Sequence, residues 1–225
     1  MMNEDWGHPS ESWRRDLSTI YASADDARSA GAPDAWCALL GREAVARTRA
    51  VWEPSAHALP LLHEYLTSQL VDVAIGVGAA GPVLLYRFRD WIDDGDAFLP
   101  GVMIAGRPAT TAELEQLERR GGALPVGLRT VWAQHGFVQL KNRSILVQPD
   151  QARVFATPTH DYLAIVNSWS DMPTCLHRPQ GSAWTDDVVV FVPARGTARA
   201  GVSPSVDALL VDWATLRWPP DTIGG

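Results

Sequence analysis

Lysine is all but missing from this chain of 225 residues: Lys141 is the only one, so nearly all of the 19 basic residues are arginine. Acidic residues number 26, and the formal net charge is −7. That balance leaves little room for the clustered basic surface that phosphate contacts need, so it argues against a nucleic-acid partner and suits a basic one. Cysteine is scarce as well. Cys37 and Cys175 stand far apart with no CxxC pair, which points to two free thiols in a reducing compartment rather than a disulfide framework. No apolar run reaches the length of a bilayer span, because the most apolar stretch, 71–85, holds Asp72 and several glycines. The start, MMNEDWGHPSESWRRDL, is polar and lacks the apolar centre of a signal peptide, so the expected compartment is the cytoplasm. The six histidines form neither HExxH nor an i, i+4 pair, and there is no GxSxG elbow. No metal or cofactor is expected.

Apolar residues, in contrast, make up 46% of the chain, and ten of them are tryptophans, which read first as core and interface area. Local signals agree best over residues 110–151. Thr110 followed by Glu113 is a capping box, so a helix starts there. Leu114 and Leu117 share one face, Arg119 and Arg120 sit at the negative end of the helix dipole, and Glu115 and Arg119 have the favourable i, i+4 order. Gly121-Gly122 permits a left-handed closing residue, and Pro125 suits the first turn of a second helix. In that helix Leu128, Val131, Trp132 and His135 form one buried stripe that ends at Gly136. His135 on this stripe reads as a core or cap histidine rather than a base. FVQL and ILVQ then flank a polar turn and read as a hairpin.

This order resembles the SUKH superfamily of bacterial immunity proteins and their relatives. The residues that carry the resemblance are Leu117, Glu118, Gly121, Leu124, Pro125, Leu128, Trp132 and Gly136; His135-Gly136-Phe137 stands where the family usually shows asparagine or tyrosine before a glycine pair. The resemblance covers roughly residues 108–218. It implies a closing helix after the strands and an immunity factor that blocks a cognate toxin, often a nuclease, by direct binding.

Elsewhere the signals give residues 1–32 as a partly ordered arm whose Trp6, Trp13 and Tyr21 pack back, then helices over 33–51 and 58–70. VDVAIGV and VLLYRF form a hairpin, and 90–101 an acidic loop. A soft boundary falls near 105, dividing a helical and hairpin region, 33–105, from an α+β domain, 106–220. Beyond it lie strands at 153–155, 162–166 and 188–192, an irregular connection over 167–186, and a last helix from Ser203-Pro204 bearing Val206, Leu209, Leu210 and Trp213. The expected fold is α+β: a helix-corner-helix on a mainly antiparallel sheet with a closing C-terminal helix.

Three patterns could carry chemistry. Gly76, Gly78 and Gly81 match GxGxxG, but Pro82 leads into a strand-like run where a dinucleotide fold needs a helix, so a glycine-rich turn is the reading. An EF-hand alignment of the acidic loop puts Ile92 at a ligand position and Gly101 where the bidentate glutamate belongs, so a solvated acidic loop is favoured. Cys175 and His177 are the one close thiol-imidazole pair, and with Asp171 or Asp186 they define an alternative hydrolase. The preferred expectation is a non-catalytic binding protein for a basic, nuclease-type toxin. Its contact surface is placed at Asp90, Asp93, Asp94 and Asp96 of the acidic loop and at Trp169, Asp171, Trp184 and Asp186 of the 167–186 connection. A regulatory scaffold is the third possibility.

Overall fold

The computed structural model describes residues 17–21, 23–78, 81–93, 98–140, 143–166 and 172–214. The chain is α+β and folds into two antiparallel meanders with helices between them, where the sequence suggested one main sheet. Sheet A runs in chain order through β1 (Leu17–Tyr21), β2 (Leu70–Gly78), β3 (Gly81–Asp93), β4 (Phe98–Ala105), β5 (Val138–Leu140) and β6 (Arg143–Leu146). Sheet B does the same through β7 (Arg153–Ala156), β8 (His160–Val166), β9 (Thr174–Pro179), β10 (Val188–Val192) and β11 (Thr197–Ser203). The helices are α1 (Ala24–Ser29), α2 (Asp34–Leu40), α3 (Ala44–Trp52), α4 (Pro60–Gln69), α5 (Thr111–Gly121), α6 (Val126–Gln134) and α7 (Val206–Ala214). None of those described is long and apolar enough to cross a membrane.

Register explains why both sheets hold. Side chains alternate between faces, so directly paired residues line up across strands. On the inner face of sheet A, Ile75, Leu84, Ala105, Val138 and Leu146 form one continuous apolar row over five strands. On sheet B, Val154, Leu163, Leu176 and Val188 do likewise. Apart from the edge residue Val154, the members of both rows enter one large buried cluster together with Trp36, Trp52, Leu66, Leu128, Trp132 and Leu209 from the helices. A line between residues 105 and 106 therefore falls between two strands that pair directly, and residues from both sides share the core.

The organising stretch folds as its signals indicate. Thr110 Oγ1 accepts from Glu113 N–H while the Glu113 carboxylate accepts from Thr110 N–H at 2.7 Å, completing the capping box of α5. Gly122 takes φ +82° and ψ 173°, a positive-φ extended conformation that glycine adopts without strain in place of the expected left-handed helical one. Leu114, Leu117, Leu128, Val131 and Trp132 are buried, and Trp132 Nε1 donates to Val147 O at 2.8 Å.

Elsewhere the structure corrects the reading. The expected helix over 33–51 is two helices, parted at Gly41–Glu43. Residues 91–93 and 98–100 of the expected acidic loop are instead paired strand, at the far end of β3 and β4. Part of the irregular connection is β9, the central strand of sheet B; flanking prolines and burial on both faces hid its alternation. The arm contributes β1 and α1. Trp6 and Trp13 lie outside the described residues.

Candidate binding surface

Three regions bear on the expected site, and the first is the β3–β4 hairpin. β2 accompanies β3 only as far as Phe88, and β5 meets β4 only from Met103 onward. Between those limits Trp91 pairs with Pro100, Ile92 with Leu99 and Asp93 with Phe98, with no third strand among the described residues. The hairpin thus runs past its sheet as a two-stranded ribbon. A register shift between Arg87 and Trp91 marks the place where the ribbon departs from the regular ladder. Asp90 and Asp93 lie on β3. Asp94 and Asp96 lie outside the described residues. In sequence the segment from Asp90 to Gly101 combines four aspartates with Trp91, Ile92, Phe98 and Leu99 and contains no basic residue. A two-stranded ribbon alone is marginal in water, and this composition adds charge repulsion to it.

The second region is the turn between β9 and β10. Trp184 is buried, not presented to solvent. Its ring lies against Gly121, where an added Cβ would be 3.2 Å away, and the Arg178 guanidinium sits 4.4 Å over the ring centroid. Arg178 is itself fixed: Nε and Nη2 donate to Asp161 Oδ2 at 3.0 and 2.9 Å, and Nη1 donates to Ser182 O at 3.3 Å. This knot ties the end of α5 to β8 and β9, which is a task of folding. Asp186, two residues on in the β9–β10 connection, is largely exposed, and its carboxylate accepts from the Val206 amide at the start of α7. Partial burial pushes its carboxyl above the usual carboxylate range, the Val206 amide opposes that shift, and the negative charges of Asp207 and Asp187 add to it. Trp169 and Asp171 lie outside the described residues. Asp90 and Asp93 thus share one ribbon, while Trp184 and Asp186 share the β9–β10 connection.

The third region is the thiol. Cys175 is fully buried on β9, in a cluster with Tyr162, Ala164, Val189 and Phe191, and the rings of Tyr162 and Phe191 stack at 4.4 Å. Burial pushes the thiol up to about 12, and Sγ lies 3.4 Å from Pro173 O. A nucleophile must be a thiolate at working pH, so this environment disables the chemistry that the Cys175–His177 pair suggested. His177 neighbours His160 on the same face, with ring centroids 6.1 Å apart. No group of three or more metal-ligating side chains comes together among the described residues.

Two buried polar arrangements were not legible in the sequence. Tyr86 Oη lies 3.0 Å from His135 Nε2 inside the core, and the Trp52 ring packs tilted against the imidazole, with centroids 4.8 Å apart. Burial holds His135 down to about 3 and Tyr86 well above its ordinary value, so both are neutral. Asp207 on α7 accepts from the Leu61 and Leu62 amides at 2.9 and 2.8 Å, capping α4 from another helix. Neither pattern has a local signal, because the partners are 49 and about 146 positions apart.

Comparison with protein-family models, with curated proteins and with solved structures finds no match for this chain.

Proposed function

We propose that this protein is a non-catalytic binding protein that neutralises a basic protein toxin by direct contact, acting in the cytoplasm of the cell that makes it. The observation that carries the reading is the β3–β4 ribbon, which extends past the sheet with Asp90 and Asp93 on one strand and Ile92 paired with Leu99. Carboxylates on such an arm raise the rate of encounter with a cationic surface, and large apolar residues anchor the complex once water is excluded. The likeness of residues 108–218 to SUKH immunity proteins supports the same reading, as does the net charge of −7. A nuclease-type effector suits it, because a cleft built for phosphates presents the basic surface that these aspartates complement.

The test is co-expression with the product of the adjacent gene. Rescue of growth and a complex that survives gel filtration are the expected results. Asp90→Asn together with Asp93→Asn slows association roughly tenfold at low ionic strength and much less at high salt, since rim charges act mainly on the on-rate. Absence of both complex and rescue defeats the reading.

A further inference from the structure

Sheet B ends at β7 on one side and β11 on the other. β11 leads directly into α7, whereas among the described residues β7 has a strand neighbour only in β8. The direction of the β7 backbone groups follows from the ladder. In antiparallel sheets, pairs that exchange both hydrogen bonds alternate with pairs that exchange none. Thr157 N–H donates to His160 O at 2.8 Å, so the residues two and four positions back, Phe155 and Arg153, also turn their amides and carbonyls toward β8. Val154 and Ala156 turn theirs outward. Both are uncharged, and Val154 is 38% exposed. Edge strands are ordinarily blunted by charge, proline, a bulge or a covering element, and these two outward positions have none of the first three. Pro158 comes only after the strand has ended.

We propose that β7 is a pairing edge for a second copy of this chain, joined antiparallel about a two-fold axis with Val154 opposite Ala156 of the second copy and Phe155 opposite its own equivalent. In this register the outward amides and carbonyls of both strands are all satisfied by four hydrogen bonds, with no residue beyond the strand needed. Shifting the strands by one step would oppose these groups either to Ala152, whose N–H already goes to Gln148 O, or to Pro158, which has none. The same register lengthens both faces of the sheet. The inner row of Val154, Leu163, Leu176 and Val188 continues into the second copy, and so does the outer aromatic group, in which Phe155 lies 5.2 Å from Phe191. Arg153 falls opposite Thr157, so like charges do not face each other across the joint. An unrelated peptide would have to reproduce this self-complementarity by chance.

Sedimentation of the full chain across a concentration series tests the idea. The wild type shifts reversibly from monomer toward twice that mass, and amide hydrogen exchange at Val154 and Ala156 slows as the dimer forms. Val154→Pro removes one outward N–H and leaves the β7–β8 ladder intact, which edge strands tolerate. It weakens association at least roughly tenfold while the thermal midpoint at low concentration holds, losing half of the four bonds that join the strands. If that variant folds poorly, Val154→Lys gives the same readout by placing like charges near the axis. A chain that stays monomeric throughout the series overturns the proposal. So does a dimer that forms without slowing exchange at Val154 and Ala156, or one that survives both substitutions.

Discussion

His135 is a residue whose acid-base chemistry the fold changes strongly. Its ring is buried, its Nε2 is bonded to Tyr86 Oη, and its Nδ1 has no partner among the described residues. No carboxylate contributes to its shift, which comes from burial alone. The folded value lies near 3, below the ordinary value of 6.5, so the stabilisation is complete above pH 6.5 and is lost as the pH falls toward 3. Each unit of difference corresponds to about 1.4 kcal/mol, so the loss across this window is a few kcal/mol at most. Urea midpoints measured at pH 7 and pH 4 should therefore fall more for the wild type than for His135→Phe, which has no proton to take up. Tyr86→Phe tests the other half of the pair. It leaves His135 Nε2 buried without a partner and lowers stability at pH 7 by roughly 1–3 kcal/mol, read by the same titration. An unchanged midpoint would mean that another donor or acceptor reaches the imidazole.

Among elements, the contrast between α5 and α4 shows what can be read locally. The N-terminus of α5 is closed by its own residues, Thr110 and Glu113, and Arg107 adds a bond from Nη2 to Glu113 Oε1 at 2.7 Å. The Glu113 carboxyl is held at about 2, first by Arg107 and then by the Thr110 amide. All of that lies within seven consecutive positions, and the capping box within it was plain in the sequence. The N-terminus of α4 starts at Pro60 with no side chain of its own to cap it, and its cap comes from Asp207 on α7. A sequence window cannot show that, because the pairing exists only once the two helices pack. β9 and the ribbon escape the sequence for a related reason: strands are defined by neighbours supplied from elsewhere in the chain, and these two lack the β-branched run that marks β10 or the turn-flanked apolar runs that mark the β2–β3 and β5–β6 hairpins. Asp72 is the converse case. It looked like a polar interruption of an apolar stretch, and the fold places its carboxylate 3.0 Å from Arg47 Nε, joining β2 to α3. For the candidate site, the aspartates were legible as a cluster, while the pairing that spaces Asp90 and Asp93 along a ribbon was not. Asp207→Ala strands two amides at the start of α4 and should cost about 1–3 kcal/mol in chemical denaturation. Thr110→Ala, which removes half of a local and more exposed cap, should cost about 1 kcal/mol.

At the scale of the whole molecule, the question is whether the chain from residue 106 onward is a folding unit by itself. Its boundary on sequence grounds lies near 105, yet the interactions that cross it are of every kind. β4 pairs with β5 from Met103 to Ala105, the row through Ile75, Leu84, Ala105, Val138 and Leu146 spans it, Tyr86 reaches His135, and Asp207 reaches Leu61 and Leu62. Gly136 adds a tight crossing just beyond it: its N–H donates to Arg107 O at 2.7 Å, and a Cβ there would meet that oxygen. Cutting the chain at this point would expose the inner face of β5 and leave His135 and Asp207 without their partners, each loss being of the order of 1–3 kcal/mol against a total stability of about 5–15 kcal/mol. A polypeptide of residues 106–225 should therefore show no cooperative thermal transition by circular dichroism, and adding the 1–105 piece should restore one. A sharp transition in the 106–225 piece alone would instead mark it as an autonomous domain. The helices and hairpin before it would then be an attachment that can be removed without unfolding the rest, and the ribbon's role in binding could be tested by deletion instead of substitution.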